Sequence, residues 1–213
     1  MGDTTNQVRG RSAVEQLPLS GEPLPLDLVN TTYIKGGMRG RLVDALTRPA
    51  DLDAWLETHA ERFSPALAHP LRQAAPSRPA HVDAFLELRR ALRELCAVRT
   101  SGGAPDPAHL DVVNATARLA LQWQELTAEP GFPTVQRWLE SDPRRVALGE
   151  VAAAAVSLFG GERAERLRAC AAPGCILYFV QSHARREWCT AGCGNRVRVA
   201  RHSRRVRGDD GTA

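Results

Sequence analysis

The chain has 213 residues, 43% hydrophobic but only 5% aromatic, so it can bury a core built mainly from Leu, Val and Ala, which favours helix packing over a sheet sandwich. No run of about 18 apolar residues is present, which excludes a helical membrane span. The net charge of +4 is local: nine Arg face one acid from Arg168 to Arg207, whereas residues 1–167 carry 19 basic and 21 acidic residues.

Residues 1–22 are polar and aperiodic, and are expected to form a flexible arm without the apolar stretch of a signal peptide. The expected location is therefore cytoplasmic, associated with the nucleoid, and there disulfides are disfavoured for the five cysteines. In residues 24–34, Leu24, Leu26 and Leu28 alternate with Pro25, Asp27 and Val29, a strand pattern that ends in Asn30, Thr31 and Thr32. Residues 36–40, Gly-Gly-Met-Arg-Gly, form a loop that lacks the Gly-Lys-Ser/Thr ending of a nucleotide-binding loop. Arg41 to Leu46 is predicted as a short helical turn, and a helix follows Pro49 with Leu52, Trp55 and Leu56 on one face.

A strong helix is predicted over 81–99, where Val82, Phe85, Leu86, Leu92, Leu95 and Cys96 recur at steps of three and four. Asp106-Pro107 and Asp142-Pro143 each place a capping carboxylate before a proline at the first helical position. The second opens an Ala/Val-rich helix that Gly160-Gly161 ends. Between these helices, residues 119–126 and 133–140 flank Ala-Glu-Pro-Gly-Phe and suggest a hairpin, with helix a close competitor. The expected fold is α+β: a mainly helical N-terminal domain (23–167) with a small antiparallel sheet, a separate four-cysteine zinc module (168–207) and an acidic tail (208–213).

Cys170, Cys175, Cys189 and Cys193 give the pattern C-x4-C-x13-C-x3-C. Two close pairs on tight turns can aim four thiolates at one point, as tetrahedral zinc requires. Pro173-Gly174 and Ala191-Gly192 supply the turns. One structural Zn2+ per chain is expected, because four thiolates leave no position for an exchangeable water. His183 and His202 are not needed as ligands, and Cys96 reads as a core residue. So small a module has few core candidates (Ile176, Leu177, Tyr178, Phe179, Val180, Trp188, Val197, Val199), and metal loss is expected to unfold it and spare the rest.

Cys193-Gly194-Asn195-Arg196 resembles the signature of the CGNR zinc-finger family, and Arg185-Arg186-Glu187-Trp188-Cys189 is similar to that family's Arg-Arg-Trp-Cys run. Leu26 to Thr31 and Arg48 to Leu52 resemble the opening of its N-terminal ABATE domain. Glu187 interrupts the Arg-Arg-Trp run, and Gln181 stands where many members have Asp. The resemblance implies a bacterial, stress-induced transcription regulator that binds nucleic acid, expected to be double-stranded DNA.

A helix from Asn195 to about Arg205 would put Asn195, Arg198, Arg201, His202 and Arg205 within about 120° of arc, with Val197 and Ala200 behind them. Arg204 belongs to the same basic run, and Arg185, Arg186 and Arg196 are further candidates for phosphate, Arg196 alternatively bracing the module. A small-molecule effector of polar or anionic character is expected at Asn30, Thr31, Arg39 and Arg89 of the N-terminal domain. The alternative is an RNA- or protein-binding zinc module without ligand sensing. Catalysis is not expected: no H-E-x-x-H, G-x-S-x-G or Walker A motif is present, and His59, His69, His81 and His109 are scattered.

Overall fold

The computed structural model describes residues 14–206, except the side chains of Glu15, Arg204, Arg205 and Val206. The first 13 residues and the acidic tail lie outside the described residues. Seven α-helices and three separate antiparallel hairpins make up the described fold.

The expected strand at 24–29 is instead a short buried helix, α1 (Leu24–Val29). All six of its residues are buried, so the alternation of leucines marked no exposed face and carried no strand information. The Asp27 carboxylate accepts from the backbone N–H groups of Gly21 and Glu22 and fixes the approach to this helix. Strand β1 (Thr32–Lys35) follows and pairs with β2 (Arg41–Asp44), where a helical turn was expected. Gly36 and Gly37, with φ of 100° and 70°, let the intervening loop reverse the chain and bring Lys35 opposite Arg41. Residues 14–22, expected as part of the arm, are docked: Val14, Leu19 and Glu22 are all buried.

Helices α2 (Pro49–Thr58), α4 (Pro79–Ser101), α5 (Pro107–Ala117) and α6 (Pro143–Gly160) follow the sequence signals closely. Asp106 and Asp142 cap α5 and α6 by accepting from Ala108 N and Arg144 N, each at 2.9 Å. Gly102 ends α4 in the left-handed conformation. Helix α3 (Pro65–Gln73) was not anticipated, because Pro70 lies inside it. Trp55, Phe85, Leu88, Leu92, Val146 and Val151 form the centre of the main core. Burial pushes the Asp53 carboxyl up, but Ser77 and Arg144 donate to it and hold it below the usual carboxylate range, tying α2 to α6. Hairpin β3 (Gln122–Leu126) with β4 (Thr134–Trp138) confirms the strand option there; it stands proud of the core with Trp123 exposed. Among the described residues no helix is long and apolar enough to cross a membrane.

The third hairpin, β5 (Leu167–Ala169) with β6 (Tyr178–Val180), leads to the terminal helix α7 (Ala191–Val206). This C-terminal segment is not a separate packing unit. Phe179, Leu177 and Val197 share one buried cluster with Leu19, Tyr33 and Ala45. Asn30 is fully buried and meets the Tyr178 backbone twice, donating to its carbonyl at 2.9 Å and accepting from its N–H at 3.1 Å. Arg93 of α4 donates to the carbonyls of Val29, Thr32 and Ile176, stapling α1, β1 and the C-terminal segment together. Val199, a core candidate from sequence, is exposed.

Asn30→Ala should leave the N–H and carbonyl of half-buried Tyr178 without their partner, at a cost of about 2 kcal/mol. Urea unfolding monitored separately at Trp55 and Trp188 should shift to lower midpoints by the same amount. A loss confined to the Trp188 probe would mean that the two parts unfold independently.

Candidate metal centre and basic helix

The four cysteine sulfurs lie within 4.8 Å of one another, on two turns that face each other. The first turn is the end of the β5–β6 hairpin. Cys170 N donates to Leu177 O and Cys175 N to Ala172 O, each at 2.9 Å, which folds both side chains to the same side. Gly174, at φ 70°, makes the turn between them. The second pair comes from the start of α7. Thr190 caps this helix, its hydroxyl accepting from Cys193 N at 3.2 Å, so Cys189 precedes the helix and Cys193 sits in its first turn. The positive end of the helix dipole there favours thiolate.

Sulfur separations of 3.7 Å (Cys175–Cys189), 3.4 Å (Cys189–Cys193) and 3.8 Å (Cys193–Cys175) suit one tetrahedral zinc, whose Zn–S bonds of about 2.3 Å imply edges of about 3.8 Å. The electrostatics agree. Hydrogen bonds from Cys175 and then Cys189 hold the Cys170 thiol down at about 2 despite its burial. Bonding to Cys170 pushes the Cys175 thiol up to about 11, and bonding to Cys170 and Cys175 pushes Cys189 higher still. Thiols this close cannot all shed their protons cheaply, and a central dication is what lets all four ionise. Donors already surround the sulfurs: Cys189 N donates to Cys170 Sγ at 3.5 Å and Arg196 Nη2 to Cys193 Sγ at 2.8 Å. The cluster can hold one zinc ion, with no protein-free position at the metal. Among the described residues, His183 and His202 are exposed and lie outside the cluster, and Cys96 is buried in the main fold with its thiol pushed up to about 12 by that burial.

The four-residue run after the second pair now has a physical reading. A Cβ on Gly194 would lie 2.9 Å from Trp188 Cδ1, so glycine lets that indole cover the helix start. Asn195 is exposed and its side-chain oxygen accepts from Arg198. Arg196 points back to the metal cluster and to Gly37, whose Cβ would lie 2.9 Å from Arg196 Nη1. Helix α7 begins at Ala191, earlier than expected, and exposes Asn195, Arg198, Arg201 and His202 while burying Val197 and half-burying Ala200. Arg204 and Arg205 lie on the same helix, with side chains outside the described residues.

Arg185 is exposed, but Arg186 is not available for phosphate. It pairs with Glu22 at 2.5 Å, donates to the carbonyls of Val180 and Cys189, and lies 4.6 Å over the Phe179 ring. Three of the four expected effector residues already have protein partners. Asn30 is committed to Tyr178, the Thr31 hydroxyl donates to Leu28 O, and Arg89 donates to Thr31 and forms a two-bond pair with Asp44. Arg39 sits apart on the β1–β2 loop. Sequence reasoning missed Glu22, Arg93, Gly37 and Thr190. Of these only Thr190 carried a local signal, a capping residue directly before a helix; the others act through contacts between distant segments.

Residues 22–162 match the model of the ABATE family, described as "Putative stress-induced transcription regulator", and residues 166–206 match that of the CGNR zinc finger. No curated protein matches the sequence.

The purified protein should carry one zinc per chain, and Cys193→Ser should lose it under chelator competition. Arg196→Gln should keep the four ligands but weaken zinc by about 10–100-fold, as the loss of a donor to a ligand sulfur typically does. Unchanged zinc affinity in Arg196→Gln would show that its contact with Cys193 is incidental.

Proposed function

The chain belongs to the ABATE family and carries a CGNR zinc finger behind that family's domain, and from this premise we propose that it is a DNA-binding transcription regulator whose contact surface is the exposed face of α7. The observation that carries the reading is the placement of Asn195, Arg198, Arg201 and His202 on the open side of a helix whose other side is anchored on the metal cluster. Such a helix presents arginines to phosphates and a side-chain amide to base edges. Zinc acts here as the support of the helix start, not as a reactive centre.

Duplex DNA is favoured over single-stranded RNA by the state of the finger's aromatic residues. Single-strand recognition needs rings free to stack on bases. Phe179 is fully buried, Trp188 covers Gly194, and Tyr178 is half-buried beneath Arg93. The site carries no catalytic constellation in this reading, and a cytoplasmic setting suits five cysteines that form no disulfide among the described residues.

For effector input, a second candidate is the cleft of about 390 Å³ between α4, α5 and α6. Leu95, Leu110, Val113 and Phe159 line it with Arg99 and Asn114, so its ligand would be mainly apolar with a polar end.

Each arginine that neutralises a phosphate adds about −0.9 to the slope of log affinity against log salt. Arg198→Ala with Arg201→Ala should weaken binding to all duplexes and flatten that slope by about two, with zinc retained. Asn195→Ala should change sequence preference with a smaller loss of affinity. Fluorescence anisotropy on genomic fragments across a salt series measures both. Wild-type affinity in the double variant would exclude α7 as the contact surface, and preference for single-stranded RNA over duplex would favour the RNA reading.

A further inference from the structure

The β1–β2 hairpin is a basic feature of the N-terminal domain with no part in the α7 contact. From Lys35 to Val43 it holds three cations, Lys35, Arg39 and Arg41, and no acid. All three are exposed, and none forms an ion pair among the described residues. Lys35 and Arg41 are direct cross-strand partners. Like charges placed opposite each other destabilise a hairpin. The fold itself does not call for this arrangement, and an anion lying across the hairpin would relieve it.

The hairpin is held rigidly beside the metal centre. At its base, Asp44 is clamped by Arg89, and Arg93 holds the carbonyl of Thr32. At its tip, the backbone meets the finger directly: a Cβ on Gly174 would lie 2.7 Å from backbone atoms of Gly37 and Met38, and Gly37 abuts Arg196. A cleft of about 510 Å³ runs between the two parts, lined by Lys35, Gly36, Thr190, Gly192 and Arg196 among others. Around α7, Arg196 is about 100° from Asn195. Asn195 is thus the edge of the open face nearest the hairpin, whereas Arg198 and Arg201 lie about 160° and 140° around the helix from Arg196.

We propose that Lys35, Arg39 and Arg41 form a second nucleic-acid contact, gripping phosphate backbone that runs past the Asn195 edge of the open face of α7. This rests on the reading of α7 as the DNA-contact surface. Phosphate contacts position a protein without reading sequence. The hairpin thus supplies affinity and register, and α7 supplies sequence preference. The arrangement also makes the N-terminal domain part of the binding surface, so a change in that domain acts on DNA affinity without having to travel through a linker.

The test uses the full-length, zinc-loaded protein and fluorescein-labelled duplexes of several sequences across a salt series. The variant Lys35→Ala, Arg39→Ala, Arg41→Ala is compared with Arg198→Ala, Arg201→Ala. The hairpin variant should lose roughly tenfold or more in affinity on every duplex, flatten the salt slope by about 2.7, and keep its zinc and thermal midpoint. Arg39→Gln, a single change at the exposed loop, should flatten the slope by about 0.9 and covers the case in which the triple variant is unstable. Wild-type affinity and slope in the hairpin variants, alongside a weakened α7 variant, would overturn this inference and leave the DNA reading standing. Wild-type behaviour in both sets would overturn the two together.

Discussion

Four thiolates around one dication leave two formal negative charges in a space where the sulfurs lie within 4.8 Å of one another. The C-terminal third of the chain is arranged to make that charge tolerable. The Cys189 N–H and the Arg196 guanidinium donate to sulfur, and the first turn of α7 brings its positive end to Cys193. Gly194 is free of a side chain so that Trp188 can cover the same turn. Once Arg196 is committed to the cluster, its outer edge has to meet something without a side chain, and Gly37 of the β1–β2 hairpin meets it. The metal centre therefore determines where the N-terminal domain can sit.

The finger and the N-terminal domain form one packed body. A module of about 40 residues rarely carries a sufficient core of its own, and here the deficit is met by sharing. Phe179 and Leu177 are buried with Leu19, Tyr33 and Ala45, while Asn30 extends the β5–β6 pairing as though it were a further piece of backbone. Around this junction the buried charges are paired, Glu22 with Arg186 and Asp27 with Arg62, and His59 Nε2 lies 3.4 Å from the Asp27 carboxylate. Removing one partner of such a pair strands the other in a poorly solvated site, which makes the junction sensitive to single changes. A domain packed this closely against the finger can pass on a conformational change directly, through packed side chains.

What could be read from sequence were the features with local causes. The cysteine spacing specified the metal cluster, because each close pair needs only its own turn. Asp106-Pro107 and Asp142-Pro143 marked α5 and α6 because capping is decided within a few residues. Helix α4 was visible because it is long and one-sided. Periodicity failed at α1, which is buried all round, and at α3, which tolerates Pro70. The roles of arginines failed more systematically. Arg89, Arg93 and Arg186 look like surface cations in the sequence, yet each is consumed by partners far away along the chain. Whether a cation is free for phosphate or spent on a distant carbonyl is a tertiary fact, and the exposed set shifted accordingly toward Lys35, Arg39, Arg41 and the open face of α7.

The central claim is that the metal cluster holds the N-terminal domain and the finger in one cooperative body. Hydrogen exchange by mass spectrometry, with zinc bound and after chelation, tests it most directly. If the claim holds, chelation exposes not only residues 167–206 but also α1 and the β1–β2 hairpin, whose backbone contacts depend on the finger. Loss of protection confined to residues 167–206, with α1 and the hairpin as protected as before, would contradict it.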